Sequence, residues 1–190
     1  MELPERDLMR SHLDEHLFDA RTIIISGEID QRVAGRVAAQ LVSLAAASEE
    51  PITLFINSQG GHVESGDTIH DVIRFIRPRV RIVGTGWVAS AGALIFVSVP
   101  VDDRYCLPNT RFLLHQPAGG VEGRESDIAI EAEQIVQMRE RINRIIARQT
   151  GQPIEKVRAD TERNFWLTAE QARQYGLVGH IVEHARDVDL

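Results

Sequence analysis

A serine where one strand breaks and a histidine where another ends are the residues of this 190-residue chain best placed to do chemistry. Ser90 lies in the small-residue run Gly84-Thr85-Gly86-Trp87-Val88-Ala89-Ser90-Ala91-Gly92, directly before the apolar stretch Ala93 to Val99. A serine lifted onto such a turn can attack a carbonyl, with backbone N–H groups at the start of the following segment directed at the developing oxyanion. Its plainer alternative is a small residue needed for packing. His115 follows 25 positions later at the end of an apolar strand, before Gln116-Pro117. It can act there as a general base, although a histidine at a strand end is often structural. A Gly-x-Ser-x-Gly elbow is not formed, because position 88 is Val88. The order Ser, His, third group also differs from the Ser, acid, His order of α/β-hydrolases.

Other motifs are weaker. His12-Leu13-Asp14-Glu15-His16 fits an H-x-x-E-H zinc pattern, but it sits in a polar lead-in and has no evident third ligand. A five-residue match is cheap, and chance accounts for it. His62, His70, His180 and His184 have no ligand-like companions. No G-x-x-x-x-G-K-[ST] run occurs, so no P-loop hydrolyses ATP here. Gly84-x-Gly86 follows a strand without completing a dinucleotide fingerprint. No cofactor and no metal are expected.

The elements that must hold Ser90 and His115 follow from apolar spacing. Short apolar strands are predicted at 21–27, 51–57 and 80–84, with strand candidates at 105–107 and 112–114 and a last strand at 177–182. Val33, Val37, Leu41 and Leu44 predict a helix over 29–47; Val63, Ile69, Val72 and Ile73 predict another over 62–76, stopped by Arg77-Pro78. Strands alternating with helices indicate an α/β layered fold with parallel pairing. A Gly-rich approach at Gly119, Gly120 and Gly123 leads into one long helix over 126–150, about 37 Å long. Its apolar positions Ile128, Ile135, Met138, Ile142 and Ile145 form a narrow, heptad-like seam, facing either its own domain or another subunit. Short helices are predicted at 153–161 and 168–175.

Composition bounds the rest. With 43% hydrophobic and 26% charged residues the chain can bury a core as one domain without disulfides. A net charge of −7 argues against wholesale neutralisation of nucleic-acid phosphates. The start is too polar for a signal peptide, and the longest apolar run, 92–101, is about half a membrane span. One cysteine fits a reducing compartment, so a cytoplasmic protein is expected. Of 21 basic residues all but Lys156 are Arg, which coding bias explains unless some form planar bidentate pairs at interfaces.

Five segments together resemble the Clp protease proteolytic subunit, ClpP. They are Phe55-Ile56-Asn57-Ser58-Gln59-Gly60-Gly61, Ala89-Ser90-Ala91-Gly92-Ala93, and Cys106-Leu107-Pro108-Asn109-Thr110-Arg111 leading into His115-Gln116-Pro117-Ala118-Gly119-Gly120. Asp160-Thr161-Glu162-Arg163 follows, and Ala169-Glu170-Gln171-Ala172 with Tyr175-Gly176-Leu177-Val178 completes the set. The match spans about residues 17–184, nearly the whole chain, leaving 1–16 as a polar lead-in to a single domain over 17–190. It implies a ClpP/crotonase-like α/β fold of repeated β-β-α units with a protruding helical handle at about 116–150. It implies self-association into two stacked seven-membered rings, the seam becoming a ring–ring contact. The implied activity is serine-type hydrolysis of unfolded polypeptides fed in by a partner AAA+ Clp ATPase, with a ClpP paralogue as a second candidate partner. By position, Ser90 would be the nucleophile and His115 the base. Gly61 and Ala91 would supply the oxyanion-hole amides. Gln116, Gly119 and Gly120 would hold substrate, and Phe55, Phe75 and Tyr105 would form the ATPase docking rim.

Three departures bear on activity. The third triad position, usually Asp, is Asn164; Gln59 stands where the family usually has Pro; and residues 1–16 lack the apolar segment that contacts the ATPase. A neutral amide accepts the His115 Nδ1–H but cannot stabilise imidazolium by charge. The expected activity is therefore weak alone or dependent on assembly. The alternatives are a catalytically weak ring subunit that supports a more active paralogue, and an acyl-CoA enzyme of the crotonase type, which would need no Ser–His pair.

Overall fold

The computed structural model describes residues 5–117 and 122–188. Helix α1 (Glu5–Asp19) precedes β1 (Thr22–Ile29), α2 (Gln31–Ala47), β2 (Ile52–Gly61), α3 (Val63–Phe75) and β3 (Val80–Ala89). The short α4 (Ala91–Phe96) follows, then β4 (Arg104–Cys106), β5 (Arg111–Leu114) and the long α5 (Glu125–Thr150). The chain finishes with α6 (Ile154–Asp160), β6 (Phe165–Thr168), α7 (Ala169–Tyr175) and β7 (His180–Ile181). The sheet runs β1-β2-β3-β4-β7, and β5 with β6 branches from β3. Every pairing is parallel except β5 with β6.

The sequence dictates this layering through the side chains that must leave water. Ala34, Val37, Leu41 and Leu44 line one face of α2 and are buried in one core with Ile52, Leu54 and Ile56 of β2 and Ile69 and Ile73 of α3. Asp30 starts α2 by accepting the Val33 N–H at 2.7 Å, a bond that lowers its carboxyl pKa and satisfies one orphan donor of the first turn. The opposite sheet face has a smaller cluster, Val83, Val182 and Val188, with Phe55 and Tyr105 packed on it. Arg104 is wholly buried and has no carboxylate partner among the described residues. Its guanidinium donates to Val99 O (2.8 Å), Gln149 O (2.9 Å) and Gln149 Oε1 (2.7 Å), pinning the end of α5 beside β4. Burial lowers its pKa to about 10, so it remains cationic at neutral pH.

Three elements differ from expectation. The polar lead-in is helical from Glu5, its helix continuing across the boundary drawn at residue 16. The last strand, expected over 177–182, shrinks to His180–Ile181 because it pairs only with Tyr105 and Cys106 at the sheet edge. The seam of α5 is divided. Ile142 and Ile145 pack on the chain's own core, whereas Ile128 is exposed, so the stretch from Ile128 to Ile145 is not one free surface.

Candidate active site

The site is built by a fork in β3. Its first half pairs with β4 (Ile82↔Arg104, Gly84↔Cys106), and its second half pairs with β5 (Trp87↔Arg111, Ala89↔Leu113). The fork falls at Gly86, whose φ of +55° favours glycine and where a Cβ would stand 2.7 Å from the Asn57 Oδ1. There the Asn57 Oδ1 also accepts the Trp87 N–H at 3.3 Å. The second branch, β3-β5-β6, carries three of the expected residues. Ser90 follows the end of β3, His115 follows the end of β5, and Asn164 precedes the start of β6. Because β5 and β6 are antiparallel with Leu114 opposite Phe165, the residues one step beyond that pair must face each other. They do: His115 Nδ1 lies 3.1 Å from Asn164 Oδ1. An amide oxygen at that place accepts a proton held on Nδ1 and leaves the Nε2 lone pair free, the tautomer a general base requires.

Ser90 adopts φ +55° and ψ −120°, a strained conformation for a residue with a Cβ. It is held there by its N–H donating to Leu113 O at 2.9 Å and by the helix that starts beyond it. Gly60, near the end of β2, lies directly against it. A Cβ placed on Gly60 would stand 2.6 Å from Ser90 Cβ and 3.1 Å from Ala91 N. Of the two residues expected to supply oxyanion amides, Ala91 follows Ser90 in the chain, and Gly61 follows the Gly60 that packs on it while its own backbone lies against Ile29. Ser58 shapes that turn, its hydroxyl accepting the Gly60 N–H at 3.0 Å and donating to Gly27 O at 2.5 Å.

Ser90 and His115 line one cavity, of about 20 Å³, with Val63, Leu94, Leu114 and Ile142 among its walls. Concavities of about 280, 310 and 360 Å³ lie elsewhere and include neither residue, so chemistry and not size marks the site. Gln116 faces the loop before β6: its backbone N–H donates to Thr161 O (2.8 Å) and its side-chain amide to Glu162 O (2.9 Å). Gly119 and Gly120 lie outside the described residues. Phe55, Val83 and Tyr105 are in register across β2, β3 and β4, so the two aromatic rings share a face. Phe75, 85% exposed at the end of α3, belongs to the helical layer on the other face. His12 stands 3.6 Å from Glu15, and no metal-binding group of three or more His, Cys, Asp or Glu occurs among the described residues. The buried Cys106 thiol is pushed up to about 12 by desolvation, which keeps it protonated and unreactive at neutral pH.

Comparison with known proteins gives this geometry a family. The Clp protease family model matches residues 6–185. The chain belongs to the Clp protease family. It is 58% identical over 175 residues to the "ATP-dependent Clp protease proteolytic subunit 3" of Rhizobium johnstonii, covering 92% of this chain and 90% of that one. It is 53% identical to "proteolytic subunit 2" of Pseudomonas aeruginosa over 178 residues, 94% of this chain and 89% of that one. Among solved structures, ClpP1 of Listeria monocytogenes superposes with a TM-score of 0.85 at 52% identity, covering 93% of this chain and 99% of that chain. An asparagine-to-aspartate mutant of the same protein gives 0.87 at the same identity and coverage. A ClpP-like α/β fold is thereby shown, and the relatives indicate a serine peptidase.

Within this Clp protease frame, the sequence missed the residues that brace the site from behind. Thr161, 1% exposed, places its hydroxyl 2.9 Å from Val157 O and 3.0 Å from Asn143 Oδ1 of α5, while its carbonyl holds Gln116. A buried Asn on the core side of α5 was the available signal. No described helix is long and apolar enough to cross a membrane.

Proposed function

We propose that this chain is a serine endopeptidase subunit of a Clp-type ATP-dependent protease, in which Ser90, His115 and Asn164 act as a variant triad. The observation that carries the reading is the apposition of His115 Nδ1 and Asn164 Oδ1 at 3.1 Å, in a strand register that also delivers Ser90 to the same cavity. In this reading the Ser90 hydroxyl proton passes to His115 Nε2 as Oγ bonds to the scissile carbonyl carbon. The N–H groups of Gly61 and Ala91 stabilise the tetrahedral oxyanion. His115 then gives its proton to the leaving amine, the C–N bond breaks, and water repeats the sequence on the acyl-serine.

Asn164 sets the strength of the site. Removing the carboxylate charge from a serine-protease triad costs about 10⁴ in kcat, or about 5.5 kcal/mol of barrier, part of it from the wrong histidine tautomer. Here the amide oxygen faces Nδ1 and favours the right tautomer, so the loss is confined to the missing charge and is smaller. Asn164→Asp should therefore raise peptidase activity at least tenfold; unchanged or lower turnover would remove Asn164 from the triad. Fluorophosphonate labelling tests the whole reading. Failure of Ser90 to label, both alone and mixed with an active paralogue, would leave the second reading, a ring subunit that supports a more active partner. Its neutral Asn164 favours that alternative.

The proposal extends to assembly. The chain would join stacked seven-membered rings in the cytoplasm, alone or with a paralogue, and receive unfolded polypeptide from an AAA+ ATPase. Gly119 and Gly120 would lie along the substrate path, with Gln116 bracing its start. Phe55 and Tyr105 share a face that Phe75 of the same chain does not join, so a rim using all three would take Phe75 from a neighbouring copy.

A further inference from the structure

Between Asn57 and Gly60, β2 loses register with both of its neighbours. It advances three residues from Asn57 to Gly60 while β1 advances two, from Ser26 to Glu28. On the other side β3 advances four residues from Gly84 to Val88 while β2 advances two, from Ile56 to Ser58. Bulges of this kind leave backbone groups without ladder partners, and here two side chains take the vacant places. Asn57 Oδ1 accepts the Trp87 N–H on the β3 side at 3.3 Å. On the β1 side the Ser58 hydroxyl donates to Gly27 O at 2.5 Å and accepts the Gly60 N–H at 3.0 Å. Ser58 is 0% exposed, and a Cβ on Gly92 of α4 would stand 3.5 Å from its own Cβ, so the hydroxyl is enclosed between the strands and α4.

The segment beyond Ser58 has little stiffness of its own. Gly60 and Gly61 have no side chains, and Gln59 lacks the ring that fixes φ in proline. Its far end is pinned where the His62 N–H donates to Ile29 O at 2.9 Å. Its near end is pinned by the Ser58 hydroxyl, which holds the residue that packs on Ser90. We infer that Ser58 is a positioning residue for hydrolysis: its buried hydroxyl fixes Gly60 and, through it, the distance of the Gly61 N–H from the carbonyl attacked by Ser90. The inference rests on the peptidase reading above, with Gly61 as an oxyanion donor. Its loss should appear in the chemical step and not in reagent binding. Removing an oxyanion donor outright costs about 10²–10³ in rate, and leaving one on a loosened loop should cost at least tenfold.

The test uses the full chain and a fluorophosphonate, with labelling of Ser90 followed in time by intact mass. The amplitude counts folded, competent sites. The first-order rate constant at saturating reagent reports how well each such site stabilises charge on the phosphoryl oxygen, so a merely structural defect lowers the first and leaves the second. Ser58→Ala should lower that rate constant at least tenfold, with the half-saturating reagent concentration within threefold of wild type. Ser58→Thr restores a hydroxyl and should recover at least threefold of the alanine loss. Ser58→Cys, which fills the space but is only a weak donor and acceptor, replaces the alanine variant under the same tenfold threshold if alanine does not fold. A rate constant reduced less than tenfold, or a threonine variant no faster than alanine, overturns the inference and leaves the peptidase reading intact. A wild-type chain that takes no label overturns both.

Discussion

At Gly60 the spacing between the nucleophile and the oxyanion loop is set by the absence of a side chain. Its φ is +94°, and a Cβ would meet Ser90 Cβ at 2.6 Å and Ala89 O at 2.7 Å. Neither neighbour can yield, because Ala89 is paired to β5 and Ser90 is tied to Leu113 O. Gly60→Ala should cost about 1–3 kcal/mol of stability from backbone strain alone and slow labelling of Ser90 at least a hundredfold. Gly35, in α2 with nothing within 4 Å of its would-be Cβ, is the control. Gly35→Ala should hold or raise the melting temperature, since it removes unfolded-state entropy without a clash. Calorimetry and the fluorophosphonate rate measure both; equal behaviour of the two variants would dissolve the argument. Ser90 and His115 were legible in the sequence for a related reason. One stands in a run of small residues and the other at a strand end, where packing alone does not require a polar side chain. Asn164 was placed by resemblance, and only the antiparallel register gave it a physical partner.

At the scale of elements, the sequence revealed the strands and helices with strong periodicity and missed those that depend on a distant partner. The run from Gly84 to Ala89 reads as loop by composition, yet it continues β3 because β5 arrives to pair with it. Likewise β6, four residues from Phe165 to Thr168, has no period of its own and exists through β5. The fork is therefore a tertiary fact, invisible in local propensity. What holds β6 in place is the loop before it, and Thr161 is the fastening. Its hydroxyl bonds with Asn143 of α5 and Val157 of α6, and its carbonyl takes the Gln116 N–H beside His115. Asn143 Nδ2 has no partner among the described residues, so the Thr161 hydroxyl is the side-chain contact its amide keeps there. Thr161→Val keeps the shape and removes the donor. The expected loss is about 1–3 kcal/mol, a fall in melting temperature of roughly 2–4 °C per kcal/mol for a chain of this size. Turnover should fall with KM unchanged, because the His115–Asn164 alignment loosens. An unaltered kcat would show that the loop is held by other means.

At the scale of the molecule, α5 is a helix of two kinds. Its second half is fastened to the body. Arg141 forms two bonds of 2.6 Å to Asp67, Arg158 meets Glu140 at 2.6 Å, and Ile142 and Ile145 pack on the core. Such pairs account for part of the arginine excess within the subunit. They also impose an acid limit: hydrogen bonding from Arg158 holds the Glu140 carboxyl below its ordinary value. Its contribution is full above that ordinary value and lost as pH falls through the lowered one. The first half of α5 instead presents Ile128, Ile130 and Val136 at 41%, 58% and 64% exposure. Helical propensity alone does not hold three turns of exposed apolar helix in water, and a second copy of the chain, as the proposed rings require, would cover them. Val136→Glu tests this without touching the core, because the residue contributes nothing to it. A subunit already at −7 would carry a further charge into each contact. The expected outcome in native mass spectrometry is a shift to smaller assemblies, with the circular dichroism and melting of the subunit body retained. An assembly mass equal to wild type would place the contact elsewhere and leave Val136 of α5 without its proposed partner.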